Sequence, residues 1–182
     1  MDFNQAAQRL GVEVAAIRAV ARVESAGSGF LATGEPKILF ERHIFYRRLK
    51  AAGINPDQFP PDICSPTSGG YKGGLAEHER MQRAVKINRD IALESASWGE
   101  FQIMGFHWKT LKHPTLQAFI NKMYGGAEGH LDSFVRFIEA NPALVRALKA
   151  KDWPTFARLY NGPAFSKNAY DQKMAAAYAT FA

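Results

Sequence analysis

The chain has 182 residues, room for one domain with a real core. Its composition, 47% apolar and 22% charged, is that of a soluble globular protein; no run of about 18 apolar residues offers a membrane span, and one cysteine, Cys64, excludes an internal disulfide and a cysteine-built metal site. The formal charge of +6 favours anionic partners without choosing among nucleic acid, acidic membrane and acidic wall polymer.

The opening "MDFNQAAQRLGVEV" lacks a basic start followed by an apolar core, so no secretory signal is expected. From Val12 to Ser25, Ile17, Val20, Ala21 and Glu24 fall on one helical face, and Gly27 and Gly29 are expected to end that helix. "KILFE" (37–41) reads as a short strand, followed by a helix to about Ala52 that stops at Gly53. The segment 53–74 carries four prolines and five glycines and is too long for an ordinary connector, so it is a functional flap or a mobile insertion. A helix is expected over 75–93, "SASWGEFQIMG" (95–105) interrupts the pattern, and further helices follow near 115–124, 128–140, 142–150, 152–160 and 166–181. Asn141 as N-cap with Pro142 at the first helical position supports one of these starts. With no internal repeat or linker, the expectation is a single, mainly α domain over 1–182, with a small sheet near 33–45.

Three stretches have chemical potential. Glu24 extends an apolar stripe, where burial disfavours a charged carboxyl and raises its pKa, as a general acid near neutral pH requires. The adjoining "SAGSG" lets backbone approach a ligand closely. From position alone, a last-turn glutamate that simply reaches water is the commoner outcome. In "SWGEFQIMG" (97–105), Ser97 and Glu100 have capping-box spacing, which accounts for both but not for Gly99 or for Gln102 between Phe101 and Ile103. In "RLYNGPAF" (158–165), Asn161, Gly162 and Pro163 make a natural helix stop, while Tyr160 and Asn161 offer a phenol and an amide. His43, His78, His107, His113 and His130 contain no pair at i, i+4 spacing and read as surface or packing residues, so no metal and no other cofactor is expected. Basic residues are scattered and no nucleic-acid motif appears.

In that order, "ESAGSG", "SWGEFQ" and "YNGP" resemble the lysozyme superfamily, in which goose-type lysozymes and soluble lytic transglycosylases share Glu-Ser-Gly, Ser-x-Gly-x-x-Gln and Tyr-Asn-x-Gly. The chain is more specifically similar to bacteriophage N-acetylmuramidase endolysins through "RVESAG" (22–27), "ILFERHIFY" (38–46), "SWGEFQIMG" (97–105) and "YNGPAF" (160–165), a resemblance spanning about 12–182. Phe165 stands where that family usually has tyrosine, and no separate wall-binding domain, such as many phage lysins carry, is expected within 1–182.

The resemblance implies a lysozyme-like helical fold and cleavage of the β-1,4 bond between N-acetylmuramic acid and N-acetylglucosamine in peptidoglycan. It marks Glu24 as the general acid, Ser97 and Gln102 as groove or support residues, and Tyr160 with Asn161 as a pair positioning the acid or the substrate. Glu41 is either the second carboxylate or a partner for Arg42, Arg47 or another base in the frame; Glu94 and Glu100 are weaker alternatives. The spacing of the second carboxylate would decide between inversion and retention. With neither, attack by the muramyl 6-hydroxyl would make a lytic transglycosylase, the first competing class. The second is a wall-binding or membrane-active module without catalysis. The resemblance also implies a monomer made in the host cytoplasm that reaches the wall after holin-type release. The C-terminal stripe Tyr170, Met174, Ala177, Tyr178 and Phe181 is core packing or a tail that contacts the anionic outer membrane.

Overall fold

Asp2 opens the first helix by a reciprocal cap: its Oδ1 accepts from the Gln5 N–H at 2.8 Å, and Gln5 Oε1 accepts from the Asp2 N–H at 3.0 Å. This helix, α1 (Phe3–Leu10), closes on Gly11 in the left-handed conformation. The computed structural model describes every residue of 1–182 except Ala26 and Ala164, so those two positions of "ESAGSG" and "YNGPAF" lie outside the described residues. Ten α-helices and one three-stranded sheet are described. They divide between two compact units, Met1–Ala26 with Ala127–Ala182, and Gly27–Gly126.

The first unit is all helix. It contains α1, α2 (Val14–Glu24), α7 (Ala127–Glu139), α8 (Pro142–Ala150), α9 (Trp153–Asn161) and α10 (Tyr170–Phe181). Ile17, Val20 and Ala21 of α2 are buried as their spacing demands, and α10 packs along α2. Of the C-terminal stripe, Met174 and Ala177 are buried, Tyr178 packs on Trp153 at 5.5 Å between centroids, and Arg18 and Arg22 lie over Phe181. The stripe therefore serves the core of its own unit. Arg9 joins α1 to α7 through Asp132 at 3.2 Å and Glu139 at 2.5 Å. Asn141 caps α8 and Pro142 follows at its first position, as expected.

The second unit holds the sheet and α3 (Arg42–Ala51), α4 (Leu75–Val85), α5 (Arg89–Glu94) and α6 (Leu116–Tyr124). Strand β1 (Ile38–Phe40) pairs antiparallel with β2 (Ala96–Trp98), which pairs antiparallel with β3 (Ile103–Met104). The sheet expected near 33–45 thus has only β1 there; two of its strands come from "SASWGEFQIMG". Gly105 follows because a Cβ there would fall 2.2 Å from the Leu93 carbonyl.

Other boundaries also differ. Helix α2 stops at Glu24 with an extended Ser25, before either glycine. The helix expected over 75–93 is two, because Asn88 turns its side chain onto the Ile91 N–H and restarts the chain as α5. The last helix begins at Tyr170, after a 3-10 turn over Phe165–Asn168.

A buried ion pair organises the long loop before α4. Glu77 and Arg80 are 0% and 3% exposed and meet at 2.8 Å. Glu77 also accepts from the N–H groups of Phe40 (2.9 Å), Lys72 (2.5 Å) and Gly73 (3.2 Å), while Arg80 donates to the carbonyls of Asp62 and Phe40. Burying two charges is costly unless their remaining donors and acceptors are met. Here the backbone of β1 and of the loop meets them, so the pair fixes one to the other.

Candidate active site

Glu24 is the last residue of α2 and is half-buried. Asn161, the last residue of α9, donates from Nδ2 to Glu24 Oε1 at 2.9 Å. Two influences act on the carboxyl. Burial raises its pKa, and the Asn161 hydrogen bond, which favours the charged form, lowers it; burial is the larger, and the result is about 7 against an ordinary 4.5. A carboxyl with that pKa holds its proton near neutral pH and can release it.

Asn161 is held in turn by its neighbour. The Tyr160 ring stacks on Phe156 at 5.8 Å and meets Phe134 and Phe137 edge-on at 5.8 and 5.5 Å. This cluster locks the last turn of α9, from which Asn161 projects. Burial, and then the charge of Glu24, push the Tyr160 phenol well above its usual range, so it stays protonated. Helix α9 ends at Gly162, whose φ of +82° turns the chain away. Glu24, Tyr160 and Asn161 are thus brought together in the first unit.

The second unit holds Glu41, Ser97 and Gln102. Ser97 starts no helix; it lies in the middle of β2, and the capping-box spacing with Glu100 spans a hairpin instead. Gly99 (φ +73°) and Gln102 (φ +49°) make the turn. A left-handed glutamine costs about 1 kcal/mol, and its side chain offsets this by closing the hairpin. It accepts from Ser97 Oγ at 2.8 Å and donates to the Gly99 carbonyl at 2.8 Å. Ser97 and Gln102 therefore support each other.

Glu41 is not the partner of Arg42. The Arg42 guanidinium donates to the carbonyls of Pro61, Thr67 and Ser68. Glu41 Oε2 instead accepts from Tyr71 Oη at 2.7 Å, and His43 Nδ1 lies 3.2 Å from the same oxygen, an ion pair only when the imidazole is protonated. Glu94 is engaged with Arg48 and accepts from Trp108 Nε1 at 2.8 Å. Among the described residues no group of histidine, cysteine and acidic side chains could hold a metal ion. His78, His113 and His130 are buried, and Cys64 is buried with its thiol pushed up to about 11 by desolvation. Tyr71 is not among the residues expected at the site, although an aromatic set among glycines in "SGGYKGG" is its signal in the sequence.

Comparison with known proteins agrees with these motifs. A family model described as N-acetylmuramidase matches residues 13–182. Among solved structures, a Burkholderia AP3 phage endolysin is similar at 46% sequence identity and a TM-score of 0.93, over 98% of this chain and 68% of that one. No curated protein sequence matches the chain.

The raised pKa has a consequence for stability. A glutamate whose folded pKa lies above its unfolded value contributes stability that is complete below about 4.5 and lost as pH rises through about 7. Removing the charge should recover what is lost, at most about 3 kcal/mol at pH 8. Glu24→Gln should therefore melt close to the native protein at pH 4 and above it at pH 8. A melting difference that does not change with pH would contradict the buried carboxyl.

Proposed function

Because the chain belongs to the N-acetylmuramidase family, we propose that Glu24 is the proton donor in its hydrolysis of peptidoglycan glycan strands. The protein is a glycoside hydrolase, a peptidoglycan-cleaving endolysin. The bond broken joins C1 of N-acetylmuramic acid to O4 of N-acetylglucosamine. Glu24 gives its proton to that oxygen as the C1–O bond breaks, positive charge develops at C1, and water adds to C1 while its proton passes to solvent, from which Glu24 is reprotonated. The observation that carries this assignment is the half-buried Glu24 carboxyl at the end of α2 with the neutral Asn161 amide at 2.9 Å as its hydrogen-bond partner, a setting in which burial raises its pKa toward neutral. Asn161 then steadies the carboxylate left after proton transfer, and Tyr160 holds Asn161. In the second unit, Ser97 and Gln102 keep the β2–β3 hairpin in shape for binding glycan. Glu41, bonded to Tyr71 and beside His43, serves the frame on this reading rather than the chemistry. The enzyme acts on the wall as a monomer after holin-type release from the host cytoplasm.

Purified peptidoglycan digested by the native protein should yield reducing N-acetylmuramic acid ends in mass spectrometry, with kcat/KM falling as pH rises through about 7. Glu24→Gln should lose about 10²–10⁴ in rate. Ends carrying 1,6-anhydromuramic acid would make the protein a transglycosylase, and native-like clearing by the variant would remove Glu24 from the chemistry.

Contact with anionic outer-membrane lipid falls, on this reading, to the exposed cations Lys167 and Lys173, because Met174 and Ala177 are already buried. Lys167→Glu combined with Lys173→Glu should weaken binding to phosphatidylglycerol vesicles while leaving cleavage of purified peptidoglycan unchanged. Equal vesicle binding would end the membrane role.

A further inference from the structure

We propose that Tyr71 is a sugar-stacking residue whose ring is held by Glu41 as a fixed platform for the apolar face of a pyranose in the glycan strand. The inference rests on the reading of the chain as a peptidoglycan hydrolase, and it identifies a substrate contact outside the motifs that led there.

An exposed tyrosine needs no explanation by itself. The frame around this one does. Tyr71 is 44% exposed, on a segment where Gly69, Gly70, Gly73 and Gly74 all have positive φ. Such a segment has the most conformational freedom to lose when it is ordered. Arg42 nevertheless holds one side of it through the Thr67 carbonyl at 2.9 Å and the Ser68 carbonyl at 3.1 Å. Gly70 lies so close on that guanidinium that a Cβ would fall 2.9 Å from Arg42 Nη1. On the other side, the Lys72 and Gly73 N–H groups are tied to Glu77 of the buried ion pair. Tyr71 stands between these two anchors, and its hydroxyl makes a third at Glu41.

Glu41 itself is diverted to this task. It occupies the N-cap of α3, where a short polar side chain would ordinarily bond the first turn, and makes no cap bond there. Its carboxylate accepts the hydrogen bond of the Tyr71 hydroxyl instead. The result is an aromatic ring with its polar end satisfied and much of its surface open to solvent. A β-1,4-linked pyranose chain presents hydroxyls around its rim and C–H bonds on its faces. The electron-rich face of an aromatic ring attracts those C–H dipoles, and donation of the phenol proton toward a carboxylate enriches the ring further. Because the ring is already immobilised, binding spends little side-chain entropy.

The test separates binding from turnover. The probe is a tetrasaccharide of alternating N-acetylglucosamine and N-acetylmuramic acid without peptide, titrated by calorimetry and by proton NMR against Glu24→Gln protein. Adding Tyr71→Ala should weaken binding about tenfold and abolish the upfield ring-current shifts of the sugar C–H protons. Tyr71→Phe should stay within about threefold, because the ring remains. With Glu24 intact, Tyr71→Ala should raise KM about tenfold with kcat within about twofold, and Glu41→Ala should move KM in the same direction. Native-like tetrasaccharide binding by Tyr71→Ala overturns the inference, as does binding by Tyr71→Phe as weak as that of the alanine variant. Loss of kcat in Glu41→Gln at unchanged KM and melting temperature also overturns it, because Glu41 would then be a reacting group. Each of these outcomes leaves the hydrolase reading standing; only failure of the native protein to cleave peptidoglycan removes that.

Discussion

A carboxyl largely withdrawn from water, with a neutral amide as its hydrogen-bond partner, is the constraint on which the chemistry of this chain depends. Glu24 sits at the end of α2, and the first unit is arranged to keep it there. Helix α10 lies along α2, α9 delivers Asn161 to the carboxyl, and the Phe134, Phe137 and Phe156 rings fix the tyrosine next to that asparagine. The hydrogen bond and the burial pull the pKa in opposite directions. Burial prevails, so the group remains protonated near neutral pH yet has a donor ready for its charged form.

The other acidic side chains show how environment, rather than residue type, sets a role. Glu77 is more deeply buried than Glu24 but is matched by Arg80 and three backbone N–H groups, which makes it a structural anchor. Glu94 is matched by Arg48 and Trp108. Glu41 is occupied by a phenol and lies beside an imidazole. Of these four, Glu24 combines burial with a pKa raised to about 7 and an uncharged hydrogen-bond partner.

Much of this was legible in the sequence because helices announce themselves by periodicity and by their ends. The buried face of α2, the Asn141–Pro142 start of α8 and the stop at Gly162 follow from spacing and capping chemistry. Helix α1, absent from the expected elements, has its ends written in the Asp2–Gln5 box and Gly11 rather than in a long apolar periodicity. The hairpin of β2 and β3 was hidden for a different reason: Ser97 and Glu100 have the spacing of a helix cap, and only the long-range pairing with β1 makes the segment a sheet. The engagement of Glu41 with Tyr71 spans 30 residues and passes through a glycine-rich loop, where periodicity says nothing. The place of Glu24 follows from helical register, but its raised pKa comes from burial in the folded chain, set against the lowering hydrogen bond from Asn161, which is far away in sequence.

The most direct measurement is titration of the Glu24 side-chain carboxyl by carbon-13 NMR, with Glu24→Gln used to assign the resonance. A midpoint of about 7 is expected. A midpoint near the ordinary glutamate value of 4.5 would mean that the carboxyl is solvated and charged at neutral pH, and would contradict its role as proton donor.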